Sequence, residues 1–483
     1  MTNNYSTDGG ELLDAGGTTD TGPSELLSRL RADDGTQALS AAVPGEVTRV
    51  VVVGAGVAGL AAARALRLAG VEVVVVEARE RIGGRTHTVD VGRTPVDLGA
   101  AWVHDGVGSP TVPFFKALDV ELLPARITDL YERATVVDRE SGSYPDSSAR
   151  ASLLAAFDTF VTHAPTLAGL EPGLSLAETI DRVLPNVGPA VRATLGRFLA
   201  SFDGASPDDV GLGAFGAFYF GGAADDDDRF PRGGYRTMVS ALAQGLDIRL
   251  GTPVRAVSTR DDHVEVVTDR EGRAETLVGS HAIVTVPLGV LKAGGISFDP
   301  VLPAEKRTAV NTLGVGVFEK VVLAYDRQYW APSGSGAIAV LEDEQGPWLS
   351  LLDMSTWYHE PVLVAVSTGS RTRELTSLPE HDRVAQVASI VREITAGKAP
   401  DPVAWAASNW LNDPYSHGCY SRVSRDGDLE STVASVGSLA TPHGRVLFAG
   451  EATDLDGLAL VDGAWKSGIR EAKRLLRTPE VRL

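Results

Sequence analysis

Blocks of apolar and polar residues predict a strand–helix–strand unit near the start of the chain. Val50–Val53 is a short run of apolar residues, as in a parallel strand that is buried on both faces. The Ala- and Leu-rich segment Gly56–Leu68 has the composition of a helix, and Gly70 fits its C-terminal end. Val73–Val76 repeats the buried-strand pattern. The unit therefore begins a parallel sheet.

The remaining pattern predicts alternating helical and strand-rich regions. Helices are expected at Thr111–Leu118, Ala149–His163, Leu174–Leu184, Val187–Ser201, from Phe230–Tyr235 through Leu242, at Glu380–Ile394 and at Gly463–Leu476. Strands are expected at Ile248–Leu250, Pro253–Val257, His263–Thr268 with Glu275–Val278 as a hairpin, His281–Pro287, Lys320–Tyr325, Ala337–Leu341, Trp348–Leu352 and Leu363–Ser367.

Residues 1 to about 46 differ from the rest of the chain in composition. They are rich in Gly, Thr, Asp and Ser, which predicts disorder apart from a short helix near Ser24–Arg31. The segment Met1–Asp20 has no basic region and no apolar core, so we expect no signal peptide. No run approaches the ~20 apolar residues of a membrane span.

Charge and cysteine content narrow the class of protein. The chain has 483 residues, enough for two domains with sizeable cores. Its net charge of −19 makes nucleic-acid binding improbable. A single cysteine excludes an internal disulfide and is compatible with a reducing cytoplasm, which is the location that we expect. The nine histidines show no metal-binding spacing, so no metal site is expected.

The turn after the first strand has the spacing of a dinucleotide site. Gly54 allows a tight turn, Gly56 allows a pyrophosphate to approach the backbone, and Gly59 allows the helix to pack close to the strand. The free N–H groups at the start of the helix favour a phosphate. Glu77, at the end of the next strand, is placed to accept a hydrogen bond from a ribose hydroxyl. Together these features predict a site for the ADP half of a dinucleotide.

A basic, glycine-containing loop follows. It contains Arg79, Arg81, Gly83, Gly84 and Arg85. Its backbone can approach phosphates, and arginine is a bidentate phosphate ligand. Taken singly, each arginine could equally be a solvated surface cation. The block as a whole distinguishes FAD from NAD through its resemblance to a known family.

Six blocks resemble the flavin-containing amine oxidase family, in the order of that family: Val51–Arg85, Asp97–His104, Gly233–Tyr235, Thr285–Leu291, Asn409–Pro414 with Gly418–Ser421, and Phe448–Glu451. The similarity is to the branch of polyamine oxidases, monoamine oxidases and histone demethylases. It implies a mixed α/β fold in which a Rossmann-like FAD-binding domain is interleaved with a substrate domain of sheet and helices. We expect residues 47–106, 230–290 and 400–476 in the FAD-binding domain, and residues 107–229 and 291–399 in the substrate-binding domain.

The resemblance implies the cofactor FAD and assigns its contacts. Glu77 would bind the adenosine ribose, Arg79 and Arg85 would lie near the pyrophosphate, Val254 would contact adenine, and Glu451 would sit at a helix N-terminus beside the ribityl–phosphate portion. The complete set of implied cofactor residues is Gly54, Gly56, Ala58, Gly59, Glu77, Ala78, Arg79, Gly84, Arg85, Gly99, Ala100, Ala101, Trp102, Val254, Pro287, Trp410, Cys419, Gly450, Glu451, Leu460 and Val461.

The resemblance also implies four catalytic positions. Lys320 matches the lysine that holds a water against flavin N5, and Trp410 matches a tryptophan packed near the flavin. Tyr420 matches one wall of an aromatic cage. Leu460 occupies the opposite wall, where monoamine and plant polyamine oxidases usually have Tyr. Cys419 matches the cysteine that carries FAD through a thioether in monoamine oxidases, and a small buried thiol is the equally open alternative.

The resemblance implies oxidation of a C–N bond by hydride transfer from the α-carbon of an amine to the flavin. The imine would be hydrolysed, and O2 would reoxidise the flavin to give H2O2. Ala100, Ala101 and Trp102 stand where amino acid oxidases usually place an arginine, which favours an amine without an α-carboxylate. The expected partners are a small-molecule amine and O2, with no nucleic acid and no membrane; a homodimer stays open.

Acidic residues suggest where a cationic substrate tail could bind. His104 and Asp105 follow the second block, and Asp225–Asp228 form either a solvated loop or an entrance for cations. Further candidates near the last block are Asp454, Asp456 and Asp462. Two other functions stay open: an oxidase of amino acids or of a biosynthetic intermediate, and a non-catalytic interaction protein that FAD stabilises.

Overall fold

The structure, a computed structural model, describes most of the chain after the N-terminal segment. The described residues are 47–104, 109–127, 133–138, 147–171, 173–213, 215, 227–341, 348–427 and 429–476. The helix expected near Ser24–Arg31 lies outside them.

The strands are numbered in chain order. They are β1 Arg49–Val53, β2 Glu72–Val76, β3 Thr88–Val91, β4 Thr94–Asp97, β5 Leu122–Pro124, β6 Thr135–Asp138, β7 Arg229–Pro231, β8 Asp247–Arg249, β9 Val254–Thr259, β10 Val264–Arg270, β11 Arg273–Gly279, β12 His281–Val284, β13 Ser297–Asp299, β14 Gly314–Val315, β15 Phe318–Ala324, β16 Ala337–Leu341, β17 Trp348–Asp353, β18 Val362–Thr368, β19 Ala404–Ala407, β20 Ser421–Arg422 and β21 Val446–Phe448.

The α-helices are numbered in the same way. They are α1 Val57–Leu68, α2 Thr111–Ala117, α3 Ser147–Leu170, α4 Leu176–Val183, α5 Pro189–Ser201, α6 Arg236–Ala243, α7 Leu288–Lys292, α8 Ala304–Thr312, α9 Ser355–Tyr358, α10 Gly369–Thr376, α11 Glu380–Ile394, α12 Leu429–Ala440 and α13 Val461–Leu476. Short 3-10 helices lie at Pro207–Asp209 and Glu451–Thr453.

A five-stranded parallel sheet carries the predicted nucleotide unit. Its order is β21-β12-β1-β2-β8. Val50 and Val52 pack on one face with α1, α6 and α13, while Val51 and Val53 pack on the other face with β9, β10 and β11. Burial on both faces explains why β1 is a continuous run of valines. The carboxyl ends of β1, β2 and β12 therefore meet at one edge, where α1 begins.

A second, six-stranded sheet has the order β19-β15-β18-β17-β16-β6 and is mainly antiparallel. Val321, Leu323 and Ala365 face one side and pack against α11. Alternate residues of β15 and β18, such as Val322 and Val366, face the other side. Helices α3, α4 and α5 share a separate apolar cluster.

The strands of the parallel sheet come from the three chain ranges that we assigned to the FAD-binding domain. Strands from different ranges also pair with each other: β19, from the range 400–476, is an edge of the six-stranded sheet, and β13 pairs with β9. The division into two domains stays a prediction from the sequence. The expected helix opening at Phe230 is wrong in detail. Residues Arg229–Pro231 form β7, which pairs with β5, and α6 starts only at Arg236.

Candidate functional site

A cavity of about 990 Å³ is lined by residues of both large sheets. Every predicted cofactor and catalytic residue except Gly59 lines it. Gly59 instead packs against the glycine turn, where a Cβ on Gly59 would lie 2.0 Å from the Gly54 carbonyl oxygen. Its role in the structure is thus to let α1 pack against the turn, as the sequence suggested.

The start of α1 is open toward this cavity. Gly54 has a φ of +107°, which glycine adopts at little cost. Gly56 precedes the helix and no side chain caps it. A Cβ on Gly56 would meet no protein atom within 4 Å, although Gly56 lines the cavity. Room at Gly56 and uncapped N–H groups fit the pyrophosphate of a dinucleotide.

Glu77 fixes the geometry of this nucleotide cradle. Its side chain is buried, and Oε2 accepts the N–H of Ala55 at 2.8 Å while Oε1 accepts the N–H of Arg79 at 2.9 Å. These bonds join the glycine turn to the end of β2. The carboxylate lines the cavity, where an acid fits a ribose diol.

Both arginines that we expected near the pyrophosphate are paired with acids. Arg79 lies 2.8 Å from Asp413 and stacks over the ring of Tyr415. Arg85 lies 2.9 Å from Glu451 and also donates to the carbonyl oxygen of Cys419 at 2.8 Å. Each guanidinium therefore connects the early basic loop to the last third of the chain. Both residues still line the cavity.

Glu451 is the centre of a hydrogen-bond cluster. Its Oε1 accepts bonds from Arg85 and Ser421, and its Oε2 accepts the N–H of Ala459 at 3.0 Å. Glu451 starts a 3-10 helix, and the α-helix predicted beside it begins ten residues later, at Val461. The cluster holds the cavity wall that contains Ala459 and Leu460.

Lys320 is buried in the cavity wall. Its Nζ donates to the carbonyl oxygens of Asp97 at 2.8 Å and Gly99 at 2.7 Å. Burial lowers the pKa of Lys320 to about 8, and the Asp97 charge opposes this shift. Below pH ~8 the ammonium form predominates, because a base is protonated below its pKa.

Three further predicted residues share the cavity with Lys320. The indole of Trp410 donates to the carbonyl oxygen of Leu98 at 3.0 Å. The hydroxyl of Tyr420, which directly precedes β20, donates to the carbonyl oxygen of Ser201 at the end of α5 at 2.8 Å. Leu460 lines the same cavity, so the two residues predicted as cage walls are one aromatic and one aliphatic side chain.

Sequence comparison identifies the protein family. The family model for flavin-containing amine oxidoreductases matches residues 57–476. The chain belongs to this family. Polyamine oxidase 4 from Oryza sativa subsp. japonica is 30% identical over 456 residues, which cover 88% of this chain and 89% of that protein. The family and enzyme class predicted from the sequence are confirmed.

Other relatives are much longer. Lysine-specific histone demethylase 1B from Mus musculus is 30% identical over 453 residues, covering 88% of this chain and 52% of that protein. For lysine-specific histone demethylase 1 homolog 3 from Arabidopsis thaliana the identity is 30%, with 90% of this chain but 30% of that protein covered. The chain thus spans about half or less of these relatives.

The fold is shared with solved structures. Wild-type putrescine oxidase bound to putrescine matches with a TM-score of 0.70 at 23% identity, covering 89% of this chain and 98% of that chain. The predicted mixed α/β fold is confirmed. As a flavin-containing amine oxidoreductase, the protein belongs to a family whose cofactor is FAD, which fits the cradle at Gly56 and Glu77.

Cys419 lines the cavity of this amine oxidoreductase but is closely packed. Its Sγ lies between two glycines, since a Cβ on either Gly204 or Gly316 would come within 3.1 Å of it. Burial raises the pKa of the thiol well above its usual range. The thiol form therefore predominates, and the nucleophilic thiolate is scarce.

The acidic candidates are dispersed. Asp228 pairs with His104 at 2.8 Å, and both residues line the cavity, as does Asp456. Asp454 instead accepts the N–H of Gly457, and Asp462 accepts the hydroxyl of Thr111. Asp105, Asp225 and Asp226 lie outside the described residues.

The described part of the chain contains no cluster of His, Cys, Asp and Glu that could hold a metal, and none of its helices is long and apolar enough to cross a membrane.

Glu319, which lies next to Lys320, was not among the residues predicted from the sequence. Glu319 points away from Lys320, as neighbours on a strand do. Its buried carboxyl group accepts the N–H of Leu411 at 3.0 Å and the hydroxyl of Ser408. Ser408 in turn accepts the N–H of Lys320 at 2.8 Å. Glu319 thus connects β15 to the turn that carries Trp410, and only the tertiary structure shows this.

Glu319 predicts a pH-dependent stability. Burial raises the pKa of its carboxyl group to about 7. Between the unfolded pKa near 4.5 and about 7 the folded protein binds more protons, so this group makes stability fall as pH rises. We expect Glu319→Gln to remove up to ~3 kcal/mol of the decrease in the free energy of unfolding between pH 4.5 and 7. Urea unfolding at several pH values measures it.

A matched control is Glu305→Gln, because Glu305 is exposed on α8. It should leave the slope unchanged. An unchanged slope in Glu319→Gln as well would show that the folded protein binds no extra proton at Glu319.

Proposed function

We propose that the protein is an FAD-dependent amine oxidase that removes a hydride equivalent from the α-carbon of a primary or secondary amine. The imine is then hydrolysed to an aldehyde and a smaller amine or ammonia, and O2 is reduced to H2O2. Bound FAD supplies the hydride acceptor. The observation that carries the proposal is that Lys320, Trp410 and Tyr420 line the same cavity as the nucleotide cradle.

The chain provides three functions for this reaction. Lys320 places a fixed, buried donor in the wall, which can orient a water and stabilise negative charge. Tyr420 and Leu460 present an aromatic and an aliphatic surface that exclude water from the amine. An apolar surrounding lowers the pKa of a bound amine, and the neutral amine is the form that can release a hydride.

The wall near Trp102 supports an amine over an amino acid. Ala100, Ala101 and Trp102 line the cavity and offer no cation for an α-carboxylate. The indole of Trp102 donates to the carbonyl oxygen of Ala125, so it is occupied within the protein. Asp228 also lines the cavity, where its carboxylate is paired with His104 at 2.8 Å.

A peroxide screen tests the proposal. FAD-loaded protein is assayed for H2O2 with monoamines, polyamines and amino acids, and flavin bleaching is followed without O2. Peroxide from amines and bleaching by the same amines are expected. Activity on amino acids alone would refute the amine assignment. Failure of every compound to bleach the flavin would favour the non-catalytic alternative.

We also propose that Cys419 forms a thioether with FAD, as its place in the cavity wall beside Tyr420 supports. The bond replaces the thiol S–H and one C–H of the cofactor, with O2 as the final oxidant. Because the thiol has a raised pKa, the reaction should be slow and should accelerate at alkaline pH.

After acid precipitation, the yellow fraction in the pellet should grow with time and pH, and Cys419→Ser should abolish it. If all colour stays in the supernatant at every pH, FAD is not covalently bound.

A cytoplasmic location and the homodimer stay predictions from the sequence.

A further inference from the structure

One arm of the cavity extends away from Lys320 across the six-stranded sheet. The residues opposite one another on neighbouring strands form a row: Lys320 faces Val366, Val366 faces Ser350, and Ser350 faces Ala339. All four line the cavity. Three strand spacings of ~4.8 Å place Ala339 ~14 Å from Lys320. The side chains along this row beyond Lys320 are small, which leaves space above the sheet.

Helices α3 and α5 form the opposite wall of the arm. Phe157 and Val161 lie one turn apart on α3, and Phe198 lies on α5. Each is partly buried and lines the cavity. We call this region the apolar arm; it is defined by Val366, Ser350, Ala339, Phe157, Val161 and Phe198.

No residue that α3, α5, β16, β17 or β18 contributes to the cavity, within the described part of the chain, is charged. The polar ones carry only hydroxyl groups, at Thr194, Ser201 and Ser350. The acids that could pair with a cation lie elsewhere: Asp228 belongs to the segment before β7, and Asp456 to the loop before α13. An ammonium group placed in the arm would lose its hydration without gaining a counter-ion.

We infer that the apolar arm binds the hydrocarbon tail of the substrate, so that the enzyme acts on monoamines with a long apolar substituent in preference to diamines and polyamines. This inference rests on the proposed function, because the amine end of the tail is placed beside Lys320. Each methylene buried in the arm contributes ~0.8 kcal/mol, which corresponds to about fourfold in affinity or in kcat/KM.

The test compares n-heptylamine with hexamethylenediamine, which differ by a methyl group in place of the far ammonium. FAD-loaded protein is titrated with each compound by calorimetry, and kcat/KM is measured for both. We expect n-heptylamine to bind and react at least ~10-fold better, and kcat/KM to rise about fourfold per methylene from n-propylamine upward. Equal or better binding and turnover of the diamine would overturn the inference.

Two variants locate the effect. Ala339→Leu fills the far end of the arm and should remove the gain in kcat/KM with increasing chain length. Ala274→Leu, at an exposed position on β11, should change neither the turnover of n-propylamine nor the dependence of kcat/KM on chain length. If Ala339→Leu leaves the chain-length dependence intact, the tail lies elsewhere.

The two experiments separate this inference from the proposed function. Preferential binding of n-heptylamine that Ala339→Leu weakens, without any flavin reduction, would support the arm and refute the oxidase activity. Flavin reduction by diamines as fast as by monoamines would support the oxidase activity and refute the arm.

Discussion

Replacing Lys320 with methionine should lower the rate of flavin reduction by an amine ~10²-fold or more. Methionine has similar length but no donor, so the wall loses the ammonium group that could orient a water or stabilise negative charge. Removing a preorganised donor of this kind typically costs 10²- to 10³-fold in rate, about 3–4 kcal/mol. Stopped-flow absorbance without O2 measures the reduction directly.

The same substitution has a structural consequence. The carbonyl oxygens of Asp97 and Gly99 would lose their donor, which costs ~1–3 kcal/mol of stability for each buried group left unpaired. The folded pKa of Lys320, about 8, lies below its unfolded value of 10.5. The unfolded chain therefore binds more protons between these values, so Lys320 makes stability rise from pH 8 to 10.5, and the variant should lack this rise.

Lys292→Met is the matched control. Lys292 also donates to a backbone carbonyl, that of Asn311 at 3.0 Å, but it lies on α7 outside the cavity. It should leave flavin reduction unchanged. A Lys320→Met enzyme that reduces its flavin at the wild-type rate would exclude a role for Lys320 in that step.

The second large effect is expected at two glycines of the turn, with different outcomes. A Cβ on Gly56 meets no protein atom, and its φ of −76° suits alanine. Gly56→Ala should therefore leave the stability of the FAD-free protein unchanged. It should weaken FAD binding by ~10-fold or more, about 1.4 kcal/mol, because the methyl group occupies the pyrophosphate position.

Gly59→Ala should instead destabilise the protein itself. Its Cβ would lie 2.0 Å from the Gly54 carbonyl oxygen, so α1 must move away from β1. We expect a loss of ~3 kcal/mol or more, with FAD binding lost as a consequence. Thermal unfolding of the FAD-free proteins and FAD titration measure the two effects separately.

Gly437→Ala controls for adding a methyl group to a helical glycine. Gly437 lies within α12, and a Cβ there meets nothing within 4 Å. It should stabilise the protein by ~0.5–1 kcal/mol. If Gly56→Ala binds FAD as tightly as the wild type, the pyrophosphate does not lie against Gly56.

Local patterns in the sequence predicted the individual elements well. The strand Ala337–Leu341 and the helix Glu380–Ile394 were predicted with the bounds that the structure has. The hairpin of β10 and β11 is longer than expected but in the same place. These elements could be predicted from the sequence because their periodicity is a property of neighbouring residues. The strand at Phe230 was missed because its partner, Leu123, lies over 100 residues earlier in the chain.

The sequence by itself determined the nucleotide turn and the acid Glu77 at the end of the next strand. Through resemblance it also determined the family and the choice of Lys320, Trp410 and Tyr420 as candidate catalytic residues. Short-range spacing was sufficient for these, because a βα turn needs its glycines at fixed positions.

Only the tertiary structure decided the environment of those residues. The acceptors of the Lys320 ammonium are the carbonyl oxygens of Asp97 and Gly99, more than 220 residues away, and burial lowers its pKa. The apolar arm likewise exists only where α3 and α5 cover a row of residues from separate strands. The pKa of a group and the shape of a cavity depend on which surfaces meet in space, and one-dimensional spacing does not specify that.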